Sequence, residues 1–187
     1  MLKLLVFMAM LGAPFTSSAQ SLEALQAGMR QELNCLVNGA LEAPANVTQA
    51  QSNQVLEDCR QRYGWDDPET VHAMLAARLS IEVMSERQQL GEAGVDFAPI
   101  LRIWRSLTPE ESASIRDATA RPDDARQTSQ AIVRRLLEAG VAPAHTVSAG
   151  GTIVKMVQAG STAGEFIRLR VTRAGGTRQL NEQPPAQ

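Results

Sequence analysis

The fold is decided by residues 22–63, which read LEALQAGMRQELNCLVNGALEAPANVTQAQSNQVLEDCRQRY. The stretch predicts two antiparallel helices joined by a turn, and each helix carries one of the chain's two cysteines, Cys35 and Cys59. In the first helix, apolar residues recur at spacings of three and four, which is typical of one buried helix face. They are Leu22, Leu25, Met29, Leu33, Leu36 and Ala40.

Cys35 lies off this apolar face, beside the small residues Ala24, Gly28 and Gly39 at 100° per residue. A disulfide needs Cα atoms within roughly 4.4–6.8 Å, whereas packed helices usually lie about 8–10 Å apart. A small-residue face would permit that approach; alternatively, the glycines merely weaken or end the helix. We predict a structural Cys35–Cys59 disulfide, since the cysteines are far apart in sequence and no histidine cluster accompanies them. No metal or cofactor site is predicted.

Residues 1–19 predict a secretory signal peptide with cleavage after Ala19. A basic head at Lys3 is followed by an apolar run over residues 4–11 and then by small residues, which is the order found in such peptides. The run is far shorter than the roughly 20 residues that span a bilayer, which disfavours a membrane anchor. No later segment is apolar enough to span, so we expect export to the periplasm or beyond it.

Charge is divided unevenly along the chain. Residues 20–120 contain 8 Arg and 15 Asp plus Glu, whereas residues 121–187 contain 8 Arg, 1 Lys and 5 Asp plus Glu. The preference for Arg over Lys, with abundant alanine, indicates a GC-rich bacterial genome. Aromatic residues make up only 4% of the chain, so it has little material for stacking sugars or single-stranded nucleic acid. No nucleic-acid partner is expected.

Residues 20–142 predict a helical domain of about six helices. The second helix starts at a capping box formed by Thr48 and Gln51 and stops at Gly64. Later starts are indicated by Asp66-Asp67-Pro68-Glu69, Asp96, Thr108-Pro109-Glu110-Glu111 and Arg121-Pro122-Asp123-Asp124. On the third helix we expect Val71, Met74, Leu75, Leu79 and Val83 to face inward.

Beyond residue 142 the apolar period changes from 3.6 to 2, which predicts a β-hairpin over residues 143–180 and a disordered tail over 181–187. The expected fold class is therefore mostly α, a helical bundle with a small C-terminal β-hairpin. The strands are placed at 152–157 and 165–172. Arg168 and Arg170 project from one face of the second strand, followed by Arg173 and Arg178. These arginines are predicted to contact a partner protein or an anion, unless they simply form a solvated strand face.

Candidate catalytic groups are few. His72 and His145 are the only imidazoles, and neither has a recognised metal or catalytic spacing. Asp66, Asp67 and Glu69 cluster beside Trp65 and His72, and a glycosidase needs two carboxylates held several Å apart. Because capping and the helix dipole already explain these acids, no catalytic residue is assigned.

We expect a non-catalytic protein of the bacterial envelope that acts by protein–protein contact, as an accessory subunit, adaptor, chaperone or inhibitor. Another envelope protein is the expected partner, and a homodimer is a further option. Two alternatives stay open: a small carboxylate-dependent hydrolase of an envelope polymer, and a binder of a small apolar or anionic ligand. A polar cleft at Asp66, Asp67 or His72 would favour the hydrolase. A closed apolar pocket would favour the ligand binder, and an exposed apolar patch would favour the protein-contact function.

Overall fold

The structure, a computed structural model, describes residues 17–43 and 46–181, with side chains for residues 24, 26–43 and 46–175. Within this part, the chain forms seven helices: α1 Ser17–Glu42, α2 Gln49–Tyr63, α3 Asp67–Glu92, α4 Ala98–Arg105, α5 Pro109–Arg116, α6 Pro122–Glu138 and α7 Pro143–Asn181. Most of the predicted signal peptide and of the predicted tail lies outside the described residues. The mostly helical class is confirmed.

Local signals fix the helix starts. Capping boxes are present at Thr48, Asp66 and Thr108, where each side chain accepts a hydrogen bond from the backbone three residues on. Gly64 ends α2 in the left-handed conformation, with φ 61°, which favours glycine because it has no Cβ. The turn that it makes leads directly into α3.

The predicted C-terminal β-hairpin is wrong, because residues 143–181 form the single helix α7. Ala149, Ile153 and Val157 are buried at four-residue intervals, and Phe166 is fully buried further along. Within windows of six to eight residues, at 152–157 and 165–172, β-branched and polar side chains alternate as they do in a strand. The helical period is visible only over the whole segment, and packing against α3 overrides the weak local preference.

The faces of α3 are the reverse of those predicted for its first half. Ala73, Ala76 and Ala77 are buried, whereas Val71, Met74 and Leu75 are exposed. Leu79 and Val83 are half-buried. Small side chains let helices pack closely, so α3 turns its alanine face towards the bundle. The expectation that its largest apolar residues point inward is therefore wrong for three of five.

Two apolar clusters form the core, and α3 and α7 run through both. The disulfide end consists of Met29, Leu33, Leu36, Cys59, Trp65, Ala73, Ala76, Ala77 and Phe166. The aliphatic end consists of Leu90, Ile100, Ile103, Ile115, Ile132, Leu136, Val141, Ala149, Ile153 and Val157. The first turns of α3 lie at the disulfide end and Leu90, near its last turn, lies at the aliphatic end. In α7 the order is opposite, since its first turns lie at the aliphatic end and Phe166 lies at the disulfide end. The two helices are therefore antiparallel.

Cys35 and Cys59 lie at disulfide distance and join α1 to α2, with their Cα atoms 6.0 Å apart. The close approach expected from small residues is found at Gly39, where an added Cβ would clash with Cγ1 of Val55. Gly28 instead faces open space. Met29, Leu33 and Leu36 of the predicted α1 stripe are buried, whereas Ala40 is exposed.

Candidate functional site

A cluster of charged side chains lies at the disulfide end, where α7 crosses the turn between α2 and α3. It brings together two sets of residues that the sequence singled out separately: the acids that start α3 and the arginines near the end of the chain. Glu32 of α1 joins them. The sequence gives no local signal for Glu32, because its partner Arg170 is 138 residues away.

The acids are held by the capping box of α3. The backbone N–H of Glu69 donates to Oδ1 of Asp66 at 2.9 Å, and the backbone N–H of Asp66 donates to Oε2 of Glu69 at 3.0 Å. Glu69 is 0% exposed. A buried carboxylate is costly unless it is paired and hydrogen-bonded, so Glu69 requires the cations that α7 supplies.

Arg170 and Arg173 supply those cations from successive turns of α7. Nη1 of Arg173 lies 2.9 Å and Nη1 of Arg170 3.6 Å from Oε2 of Glu69. Arg170 also pairs with Glu32 at 3.2 Å. Both arginines donate to α2's C-terminal carbonyls, Arg170 to Tyr63 and Arg173 to Gly64, where the helix dipole favours positive charge.

An aromatic group closes the inner side of the cluster. Nε1 of Trp65 donates to Oε2 of Glu32 at 2.9 Å. The Trp65 ring stacks on Tyr63 at a centroid distance of 5.9 Å and meets the Phe166 ring edge-on at 5.6 Å. Trp65 is thereby engaged in the core and does not form an open stacking platform.

Three buried polar atoms have no hydrogen-bond partner among the described residues: Oε1 of Glu69, Nδ1 of His72 and Nε of Arg170. His72 lies one turn along α3 from Glu69. Each such atom carries a desolvation cost. The cluster is therefore tightly charge-paired but not fully hydrogen-bonded.

The cluster joins helices rather than forming a cleft for a substrate. Glu69 is fully buried, Asp66 is occupied as a cap, and Asp67 forms a surface ion pair with Arg60 at 3.0 Å. A glycosidase needs a carboxylate pair that flanks a substrate bond, and these three acids do not provide one. This geometry does not favour the hydrolase hypothesis.

Of the four arginines predicted to contact a partner, the three whose side chains the structure describes differ in exposure and in the groups that they pair with. Arg170 has only 17% of its side chain exposed and is taken up by the cluster. Arg168 is 66% exposed and pairs with Glu165 on the same helix. Arg173 is 40% exposed while paired with Glu69, and the Arg178 side chain lies outside the described residues. The strand face that groups these arginines does not exist, because this segment is part of α7. Of the three described side chains, Arg168 is the most exposed, and its ion pair is with its own helix.

Two cavities in the described part of the chain do not resemble a closed apolar pocket. One, of about 370 Å³, lies between the turn before α4 and the turn before α7, and Asp96 and His145 reach it. Another, of about 330 Å³, lies between α5 and α6 beside Glu111 and Arg121. Turn backbone and polar side chains form much of their walls. No group of three or more metal-ligating side chains is found among the described residues.

The outer face of α3 carries an exposed apolar surface. Val71, Met74 and Leu75 are 53%, 46% and 44% exposed. They lie within about 100° of arc on the helix. Asp67 and Arg78 flank them at the two ends, with 90% and 75% of their side chains exposed. We call Val71, Met74 and Leu75 the α3 stripe.

Comparison with known proteins gives no relative from which a function could be transferred: no family model, curated protein or solved structure matches this chain. Among the described helices, none is both long and apolar enough to cross a membrane.

Proposed function

We propose that this chain is an exported protein of the bacterial envelope that acts without chemistry, by binding protein through the α3 stripe. The observation that carries the proposal is which face of α3 is exposed to solvent. In the first half of α3 the buried apolar residues are the alanines Ala73, Ala76 and Ala77, while the larger apolar side chains Val71, Met74 and Leu75 are exposed. Contiguous exposed apolar surface rimmed by charge is typical of protein–protein contact sites.

Two features support export. The basic head, apolar run and small residues of the first 19 positions have the order of a secretory signal peptide. The Cys35–Cys59 disulfide suits an oxidising compartment such as the periplasm. Cell fractionation of the tagged protein tests this part; recovery in the cytoplasm with the signal sequence uncleaved would contradict it.

Binding is tested by placing a photoreactive side chain at position 71 or 74 in the cells that make the protein. We expect a crosslinked protein product from both positions. Position 137 is a matched control, because Leu137 is an equally exposed apolar residue on α6 at 44%. Equal crosslinking from position 137, or none from 71 and 74, would contradict the assignment of the stripe.

A set of serine variants separates binding from folding. Val71→Ser, Met74→Ser and Leu75→Ser combined should abolish the crosslinks made from a photoreactive group at position 70, on the margin of the stripe. Their melting temperature should stay near that of the unaltered protein, because exposed residues contribute little to stability. Val147→Ser, at a residue 77% exposed on α7, should change neither property.

A further inference from the structure

We propose that the α3 stripe binds the α3 stripe of a second copy of this chain, with the two helices antiparallel. The inference rests on the proposed function, because it names the partner of the same surface. The charges at the ends of the stripe carry it: Asp67 lies at one end and Arg78 at the other, and both are strongly exposed.

The spacing along α3 matches a coiled-coil seam. Asp67, Val71, Met74 and Arg78 follow one another at intervals of four, three and four, which is the alternation of a heptad. Leu75 lies beside Val71 on the same face. In such a seam each side chain inserts between side chains of the facing helix, so a second copy can cover the stripe.

Two-fold symmetry fixes the register. When the axis passes between residues 72 and 73, Val71 of one copy is level with Met74 of the other, and Asp67 is level with Arg78. Each of these contacts then occurs twice, as an isologous interface requires. The apolar pairs lie at the centre and the opposite charges lie outside them.

Two other arrangements place like charges together. A parallel pair would set Asp67 against Asp67 and Arg78 against Arg78. An antiparallel pair shifted by two residues along each helix would bring Asp67 level with Glu82. Juxtaposed like charges disfavour wrong pairings. The existing pairs of Asp67 with Arg60 and of Arg78 with Glu82, each at 3.0 Å, lie at the surface and exchange at little cost.

The interface is small, so the dimer is expected to be weak. Three apolar side chains from each copy bury well under the roughly 1,600 Å² of a standard stable interface. We expect dissociation in the micromolar range, with monomer prevailing at nanomolar concentration. Sedimentation velocity of the disulfide-bonded protein up to about 100 µM covers a range in which such a dimer is populated.

Charge reversal tests the register. Asp67→Arg alone and Arg78→Glu alone should each weaken self-association about tenfold or more, because each replaces two opposite-charge contacts with two like-charge contacts. An equimolar mixture of the two variants should associate again, since the substituted side chains then face each other. The combined variant Asp67→Arg/Arg78→Glu should also associate.

Asp123→Arg and Arg126→Glu are matched controls, because these residues form a comparable exposed pair in the first turns of α6. They should leave self-association unchanged. A chain that stays monomeric at about 100 µM, well above the expected micromolar dissociation constant, would overturn the proposal. So would a dimer that tolerates both single reversals, or a mixture that does not associate.

The outcomes separate this proposal from the function on which it rests. If the chain is monomeric but position 71 crosslinks to a different protein, the second copy is the wrong partner and the binding function stands. If position 71 crosslinks to nothing and the chain is monomeric, both proposals fail. Crosslinking of position 71 to position 74 of another copy supports both.

Discussion

The disulfide end and the aliphatic end of the bundle reach comparable burial with different materials. At the aliphatic end, nine aliphatic residues from α3, α4, α5, α6 and α7, with Val141 from the turn before α7, fill the core. At the disulfide end, three alanines pack with Met29, Leu33, Leu36 and two aromatic residues beside a covalent bond and a fully buried carboxylate. Burial of the three alanines contributes less than burial of leucine or isoleucine, and the crosslink and the ion pairs add to the stability of this end.

The largest effect should come from removing the buried charge. Glu69→Gln should lower the free energy of unfolding by about 3–5 kcal/mol, because it removes the fully buried carboxylate that Arg170 and Arg173 share. Urea denaturation measures the loss. The matched control is Glu111→Gln, at the same capping-box position of α5 and also bound to an arginine, Arg135.

Glu111 differs from Glu69 in exposure, since 18% of its side chain reaches solvent. Burial acts to raise the pKa of Glu111, but hydrogen bonds from the Thr108 backbone and Arg135 outweigh it, so the pKa lies below its usual value. Its loss should cost about 1 kcal/mol or less. Equal losses for the two variants would mean that burial does not distinguish the two ion pairs.

The second effect should come from opening the disulfide. Cys35→Ser combined with Cys59→Ser should cost about 3.5 kcal/mol in the chain-entropy model for a loop of this length. Native-state hydrogen exchange should show the loss first in α2, while α4 and α6 keep their protection, because local opening follows local stability. Equal loss of protection in α6 would contradict the division into two ends.

A third comparison lies within α1. Gly39→Ala should destabilise the protein by about 1–3 kcal/mol because of overpacking. The new Cβ would clash with Val55, a β-branched side chain with little freedom. Gly28→Ala should instead stabilise by about 0.5–1 kcal/mol, since it adds helix propensity where there is open space. Thermal unfolding measures both, and Val55→Ala should rescue Gly39→Ala but leave Gly28→Ala unchanged.

Features encoded within a few residues were predictable from the sequence. The capping boxes at Thr48, Asp66 and Thr108 and the stop at Gly64 each depend on contacts over three or four residues. The identity of α7 was not predictable in this way, because its helical period emerges only over a long segment. The orientation of α3 also depends on its partner: alanines face inward because α7 packs closely there.

The acidic first part and the basic last part of the chain meet within the molecule. From the sequence, the arginines of the basic part are predicted to contact a partner protein or an anion, or to form a solvated face. In the structure α7 binds the acids of its own chain, with Arg170 on Glu32 and Glu69, and Lys155 on Glu82 and Glu86. A charge asymmetry shows that opposite charges meet, but spacing along the chain does not show whether they meet within one molecule.

The smallest effect concerns Lys155, which links the middle of α3 to α7 between the two ends. Hydrogen bonding to Glu86, above all, raises the pKa of Lys155 above its ordinary 10.5 against the opposing effect of burial. Arg78 first and then Lys155 lower the pKa of Glu82 below its ordinary 4.5. Because its pKa is raised in the folded protein, Lys155 contributes stability below pH 10.5. This contribution is lost as the pH rises through the pKa of Lys155 in the folded state. Because its pKa is lowered in the folded protein, Glu82 contributes stability above pH 4.5. This contribution is lost as the pH falls through the pKa of Glu82 in the folded state.

Lys155→Met should therefore lower the melting temperature by about 2 °C or less at neutral pH, because partly exposed pairs contribute little. The difference from the unaltered protein should be constant between about pH 5 and pH 10 and shrink outside that window. Arg126→Met, at an exposed pair on α6, should show no measurable difference at any pH. A difference in melting temperature that grows at pH 11 would contradict the raised pKa of Lys155. If Lys155→Met destabilised the protein as much as Glu69→Gln, the ion pairs of Lys155 would be as important for stability as the buried carboxylate at the disulfide end.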